Sequence, residues 1–256
     1  VSSLDFADRL HKIAVDIGDS DIAIQLIVLA GDIACHGFGL GEIHLRINAV
    51  QLRNAMGVAD SGSGSLPFHD VRSRVLLDDL CTRIKSEPPW EINFQSLSEE
   101  NATARRQLML ATQILKHVDC DQPIRLLIAE CEKPVTIMTA LYLAYKFGIA
   151  DRLDISPLFE TTFGLEHGVD LIDQLLGHEV FCAYVRQRGR IAIETGFSDA
   201  GRFIGQVSAN LAIERLQLKI AGLIKAKLNA DVNFLIFNTH GESLGRGCAG
   251  PKIVDR

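Results

Sequence analysis

The chain has 256 residues, of which 47% are hydrophobic and 23% charged, as in an ordinary soluble globular protein. A net charge of −6 with scattered basic residues argues against nucleic-acid binding, and no apolar stretch approaches the roughly 18 residues that a membrane span needs. The six cysteines contain no CxxC pair, which argues against a zinc finger. We therefore expect one cytoplasmic domain covering residues 1–256.

The first half of the chain is predicted to be mainly helical. Apolar residues recur at helical spacing in five segments, which are residues 4–17, 21–35, 50–56, 71–85 and 98–118. Polar and apolar residues alternate over 42–47, which predicts a half-buried strand. Ser20 is predicted to cap the second helix, and the serine- and glycine-rich region around residues 57–69 is predicted to be a flexible loop.

The second half alternates between strand and helix patterns. Strands are predicted over residues 124–129, 153–159, 191–197 and 232–237. Helices are predicted over residues 134–147, 168–176, 179–188 and 203–228. This alternation favours parallel βα units in a helix-rich α/β protein, arranged either as a barrel or as a doubly wound sheet.

Three chemistries fit the glycine-rich segment after the last predicted strand. Residues 241–245 match the nucleophile motif G-x-S-x-G, but no histidine follows Ser243 in this sequence to complete a triad. Residues 245–250 spell G-x-G-x-x-G, but Pro251 comes where that motif must open a helix. The third interpretation is an anion clamp, in which backbone amides and Arg246 hold a phosphate or carboxylate.

An anion clamp needs a metal or further cations, and two other loops supply candidate metal ligands. Glu160 follows one predicted strand, and Asp199 lies just beyond another. Because the carboxyl ends of parallel strands meet at one edge of a sheet, we expect these acids to lie together there. Two carboxylates with spare water positions suit Mg²⁺ or Mn²⁺ that also binds a phosphorylated substrate.

Four segments of the chain, in this order, resemble the phosphoenolpyruvate carboxylase family. Phe38-Gly39-Leu40 with Arg46 resembles the family's FGL…LDIRQ segment. Pro157-Leu158-Phe159-Glu160-Thr161 matches its PLFET segment, and Gly196-Phe197-Ser198-Asp199 resembles its GYSDSxKD segment. Gly245-Arg246-Gly247 resembles the end of its FHGRGGxxGRGG loop. The likeness covers most of this chain but only the middle of a typical family member.

The resemblance implies a partial or complete (β/α)8 TIM-type barrel with extra helices. It implies that bicarbonate and phosphoenolpyruvate give oxaloacetate and phosphate, through carboxyphosphate and an enolate. It also implies the metal ligands Glu160 and Asp199 for Mg²⁺ or Mn²⁺, the substrate-binding residues Arg46, Gly245 and Gly247, and the catalytic residues Arg246, His240 and Arg202. Because the family usually forms tetramers, a homo-oligomer is the corresponding expectation.

The chain departs from the family pattern at several positions. His240 replaces the first arginine of the glycine-rich loop, Arg202 stands near the place of a lysine, and His44 replaces an aspartate. Neutral histidine supplies less charge to a phosphate than arginine does. The family's TAHPT histidine has no counterpart among these residues. Two hypotheses remain: a divergent member or central fragment of an active carboxylase, and a catalytically silent relative that binds an acidic metabolite or a protein partner.

Overall fold

A computed structural model describes residues 2–38, 43–56, 71–121, 124–228 and 232–238. These residues form eleven helices and five strands, so the fold is helix-rich α/β. The helices are α1 Ser3–Asp16, α2 Ser20–His36, α3 Ala49–Ala55, α4 Val71–Ser86, α5 Phe94–Glu99, α6 Thr103–His117, α7 Pro134–Lys146, α8 Thr162–Leu175, α9 Glu179–Arg188, α10 Phe197–Ile204 and α11 Gln206–Leu228. The strands are β1 Ile43–Asn48, β2 Ile124–Ala129, β3 Leu153–Phe159, β4 Arg190–Thr195 and β5 Asn233–Asn238.

The five strands form one parallel sheet in chain order, β1-β2-β3-β4-β5. The prediction of parallel βα units is therefore confirmed. A doubly wound sheet reverses its strand order at a switch point, and these five strands contain no such reversal. Because parallel crossovers are right-handed, an unreversed order places the connecting helices on one face of the sheet.

Apolar side chains on one face of the sheet make the main hydrophobic core. Ile124, Ile128 and Ile193 point into it and are almost completely buried. Helix α7 packs there through Ile137 and Leu141, which are also fully buried. Both β2 and β3 have their predicted bounds and are buried on both faces of the sheet, although polar residues interrupt the apolar sequence of each strand.

Side chains on the opposite face show that the sheet is strongly curved. The ring of His44 on β1 lies 5.1 Å from the ring of Phe237 on β5, measured between centroids. The guanidinium of Arg125 on β2 lies 5.1 Å from the same Phe237 ring. Strands β1 and β5 are the two ends of the strand order, so these contacts span the concave face of the sheet.

Two of the long helices predicted from the sequence are wrong, because each predicted segment contains parts of two separate helices in the structure. The segment 98–118 contains the end of α5 and all of α6, and the Glu100 carboxylate between them accepts a hydrogen bond from the Ala102 backbone N–H at 2.8 Å. A side chain that binds nearby backbone competes with helix formation. The segment 203–228 is divided at Gly205, whose φ of +82° ends α10.

The strand predicted to reach Phe197 ends at Thr195, and α10 begins at Phe197.

Two predicted helix starts also need correction. Asp19, rather than Ser20, caps α2, because its carboxylate accepts from the backbone N–H groups of Asp21 and Ile22. Helix α8 begins at Thr162 instead of residue 168, with the Thr161 hydroxyl accepting from the Gly164 N–H at 3.0 Å. Within the described ranges, no helix combines the length and the apolar character needed to cross a membrane.

A charged cluster joins the end of α4 to α7. The Glu87 carboxylate accepts from Arg83 Nε and from the Tyr142 hydroxyl, each at 2.8 Å, and Lys146 Nζ lies 3.2 Å away. The hydrogen bonds from Arg83 and Tyr142, with help from Lys146, lower the pKa of Glu87 to about 2. A carboxylate whose pKa falls on folding stabilises the folded state when it is ionised.

We expect Glu87→Gln to lower the melting temperature at pH 7. The stabilisation is complete above the ordinary Glu87 pKa of 4.5 and is lost as the pH falls towards about 2. Thermal unfolding followed by circular dichroism at pH 7 and at acidic pH measures this difference. Glu91→Gln, at an exposed position in the following loop, is the control. A penalty for Glu87→Gln that is equally large in acid would contradict the assignment.

Candidate active site

A cavity of about 180 Å³ lies at the carboxyl ends of β1, β3 and β4. It is lined by Arg46, Leu158, Glu160, Glu194, Gly196, Ser198 and Asp199. The structure therefore brings together three residues that the sequence analysis singles out, which are Arg46, Glu160 and Asp199. Their roles in binding a metal or a substrate stay predictions.

Gly196 allows the ends of β3 and β4 to approach closely. Its backbone N–H donates to the Phe159 carbonyl at 3.0 Å, which ties the start of α10 to the end of β3. A Cβ atom at position 196 would lie only 2.6 Å from the Cβ of Glu160, a distance that real Cβ atoms essentially never show. The absence of a side chain at Gly196 thus sets the position of Glu160 beside α10.

The carboxyl groups of Glu160 and Asp199 lie close enough to share a hydrogen bond when one is protonated. Asp199 lies in the first turn of α10, and its side chain is 43% exposed. Its nearest cation on the same helix is Arg202, at 3.5 Å, with a side chain that is 71% exposed. Such an exposed pair contributes little to stability, so Asp199 remains accessible to a ligand.

Glu160 has a perturbed acidity. Burial raises the pKa of Glu160 above its ordinary value, and the neighbouring Asp199 raises it further. The hydrogen bond from the Glu130 backbone N–H, at 3.4 Å, and the charge of Arg46 oppose that rise in the pKa. Two carboxyl groups side by side repel one another when both are ionised, and a cation between them relieves that repulsion.

The structure describes one further predicted site residue, Arg202. Arg202 pairs with Asp199 but is not among the residues that line the cavity. His240, Gly245, Arg246 and Gly247 lie outside the described residues, as does the predicted loop at 57–69. His44 lies on β1, two residues before Arg46, and its ring contacts Phe237.

Glu160 and Asp199 are carboxylates, the type of side chain that binds magnesium and manganese ions. Among the described residues, no group of three or more His, Cys, Asp or Glu side chains is placed to hold a metal. Mg²⁺ keeps several waters and is commonly held by one or two carboxylates together with substrate phosphate oxygens. Glu160 and Asp199 supply that minimal set of hard oxygen ligands, so the residues present fit such an ion.

Sequence reasoning missed Glu194, a second glutamate in the cavity wall. It lies on β4, is only 4% exposed, and forms part of the cavity lining. The sequence feature that could have identified Glu194 is an acidic residue that follows the apolar residues of β4. Glu194 lies two residues before Gly196, on the opposite face of the strand from Ile191 and Ile193. An acidic residue at that position faces the same side of the sheet as the cavity.

The fold and the cavity define an α/β protein of parallel βα units with a carboxylate-rich site at the carboxyl ends of its strands. The sequence model of the family described as phosphoenolpyruvate carboxylase matches residues 9–253. The chain belongs to the phosphoenolpyruvate carboxylase family.

Curated relatives agree with this assignment at low identity. A phosphoenolpyruvate carboxylase of Corynebacterium glutamicum is 23% identical over 240 residues, which cover 89% of this chain and 26% of the relative. One of Rhodopseudomonas palustris is 23% identical over 252 residues, covering 95% and 27%. One of a Thermus species is 32% identical over 107 residues, covering 42% and 12%. The chain thus spans about a quarter of the length of the first two relatives.

Proposed function

We propose that the chain carries the metal-binding part of a phosphoenolpyruvate carboxylase, a carboxy-lyase that joins bicarbonate to phosphoenolpyruvate to give oxaloacetate and phosphate. The observation that carries this proposal is the cavity in which Arg46, Glu160 and Asp199 meet. Oxaloacetate production would give the protein a role in carbon dioxide fixation and in supplying the tricarboxylic acid cycle, in the cytoplasm.

The proposed fold is a partial (β/α)8 barrel. Five parallel strands in chain order and the contact between the inner side chains of β1 and β5 support it. In such a barrel the loops at the carboxyl ends of the strands carry the chemistry. The cavity lies at that end.

The electrostatics of the cavity fit an anionic substrate only when a cation is present. Glu160 and Asp199 would hold Mg²⁺ or Mn²⁺, which when bound would neutralise charge developing on phosphoryl and enolate oxygens. Arg46 would bind a carboxylate or phosphate oxygen of phosphoenolpyruvate through its fork of N–H donors. Without the cation, the two carboxylates would repel that substrate.

The proposal predicts that oxaloacetate forms only when Mg²⁺ or Mn²⁺ is present. Asp199→Asn removes one negative oxygen ligand, and we expect it to lower the rate by about 100-fold or more. The assay couples oxaloacetate to NADH oxidation by malate dehydrogenase, with and without EDTA. Asp170→Asn is the matched control, because Asp170 is 64% exposed on α8 and pairs only weakly with His167.

Two results would count against the proposal. An active wild type whose rate is unaffected by Asp199→Asn would refute the site. A wild type that makes no oxaloacetate under any of these conditions would refute the activity and favour the alternative, a silent relative that binds an acidic metabolite or a protein partner. The replacement of a family arginine by His240 is the observation that favours this second candidate.

A further inference from the structure

Two further cavities adjoin one another near the acidic cavity, one between α3, α4 and α7 and the other between α3 and the segment that joins β2 to α7. One has a volume of about 230 Å³ and a mainly apolar wall, to which Leu52, Met56, Leu76, Leu80 and Val135 contribute. The other has a volume of about 320 Å³ and a more polar wall, to which Glu130, Glu132 and Thr161 contribute. Ala49, Arg53, Lys133 and Thr136 line both, so the two spaces share one boundary.

Charges of both signs surround this shared boundary. Arg53 and Lys133 line both cavities, whereas Glu130 and Glu132 line only the polar one. Within the described part of the chain, neither Arg53 nor Lys133 forms an ion pair with a carboxylate. The Glu132 carboxylate is oriented by the Thr161 hydroxyl, which donates to Glu132 Oε1 at 2.8 Å.

We propose that the two cavities form one binding site for an amino acid with an apolar side chain of about leucine size. Its carboxylate would bind Arg53 and Lys133, and its ammonium group would bind the carboxylates of Glu130 and Glu132. Its side chain would fill the apolar cavity beside Leu76 and Leu80. Two cations, two carboxylates and an adjacent apolar space match all three parts of such a zwitterion.

This site and the proposed active site share no lining residue, although they adjoin one another at consecutive positions of the chain. Glu160 lines the acidic cavity, and the next residue, Thr161, lines the polar cavity described here. The amino acid would therefore bind without occupying the place of phosphoenolpyruvate. Its binding is measured without any assay of carboxylation, so failure of one proposal does not imply failure of the other.

Isothermal titration calorimetry of the whole chain with three small molecules tests the ligand class. L-leucine is compared with 4-methylpentanoate, which lacks the ammonium group, and with 3-methylbutylamine, which lacks the carboxylate. We expect L-leucine to bind at least about 10-fold more tightly than either, because each charged hydrogen bond contributes about that factor. Absence of L-leucine binding at 10 mM, or equal binding of 4-methylpentanoate, would overturn the proposal.

Two variants test the location of the site. Arg53→Gln, at an exposed position on α3, is expected to weaken L-leucine binding by roughly 10-fold or more. Lys116→Gln, which removes one exposed positive charge from α6, is expected to leave the binding unchanged. Leu76→Trp is expected to fill the mouth of the apolar cavity and abolish binding. Folding of each variant is checked by circular dichroism, and unchanged affinity in folded Arg53→Gln and Leu76→Trp would overturn the location.

Discussion

Replacing Glu160 with glutamine is expected to lower cation-dependent carboxylation by at least about 100-fold while making the cation-free protein more stable. The loss follows from removal of a negative oxygen ligand. The gain follows because burial and Asp199 raise the pKa of Glu160, so ionising this carboxyl costs folding free energy. A raised carboxyl pKa contributes stability at low pH that disappears as the pH rises through the folded-state pKa.

Thermal unfolding in EDTA at several pH values measures the stability part of this prediction. At pH 7 to 8, Glu160→Gln is expected to melt about 1–3 °C above the wild type. Below the ordinary glutamate pKa of 4.5 the difference is expected to vanish, since the wild-type carboxyl is then protonated in both states. Glu166→Gln, at an exposed position on α8, is the control. A lower melting temperature for Glu160→Gln at pH 7 would contradict the electrostatic account.

Gly196→Ala is expected to damage stability and function together. The new Cβ would lie 2.6 Å from the Glu160 Cβ and 3.3 Å from its Cα, so backbone has to shift. Overpacking of this kind costs about 1–3 kcal/mol. That cost corresponds to a fall in melting temperature of about 2–10 °C. Because the shift moves Glu160 away from Asp199, cation affinity is expected to fall as well.

Gly222→Ala separates this steric effect from the general effect of replacing glycine. Position 222 lies in α11, where an added Cβ meets nothing within 4 Å. An alanine in an exposed helix is more favourable than glycine by about 0.5–1 kcal/mol. We therefore expect a slightly higher melting temperature and unchanged cation binding for Gly222→Ala. Equal behaviour of the two variants would show that the close approach at Gly196 does not hold Glu160 in place.

Strands β2 and β3 were the most predictable part of the fold, because their predicted bounds are the observed ones. β2 lies between Pro123 and Glu130, and β3 lies between Arg152 and Glu160, so the residues on either side mark the limits of each strand. The helix boundaries at Glu100 and Gly205 could not be read in this way. Both depend on one residue that changes the backbone locally inside a longer helical pattern.

The sequence predicted several residues of the candidate site but not how they are arranged in the cavity. The motifs containing Glu160 and Asp199 indicate that both follow strands, and parallel strands bring such positions to one edge. The sequence alone did not reveal that Gly196 holds them together or that Glu194 lines the same cavity, because both facts depend on the register of β3 with β4. Glu194 also points to the opposite face of β4 from Ile191 and Ile193, which lie in the hydrophobic core.

Manganese binding to the cation-free protein tests the central claim most directly. Titration calorimetry with Mn²⁺ is expected to show one ion per wild-type chain, with tighter binding when phosphoenolpyruvate is present. Glu160→Gln and Asp199→Asn are each expected to weaken that binding by about 100-fold or more, whereas Glu166→Gln is expected to match the wild type. Mn²⁺ binding of equal affinity in the wild type and in both site variants would contradict the claim that these two carboxylates hold the cation.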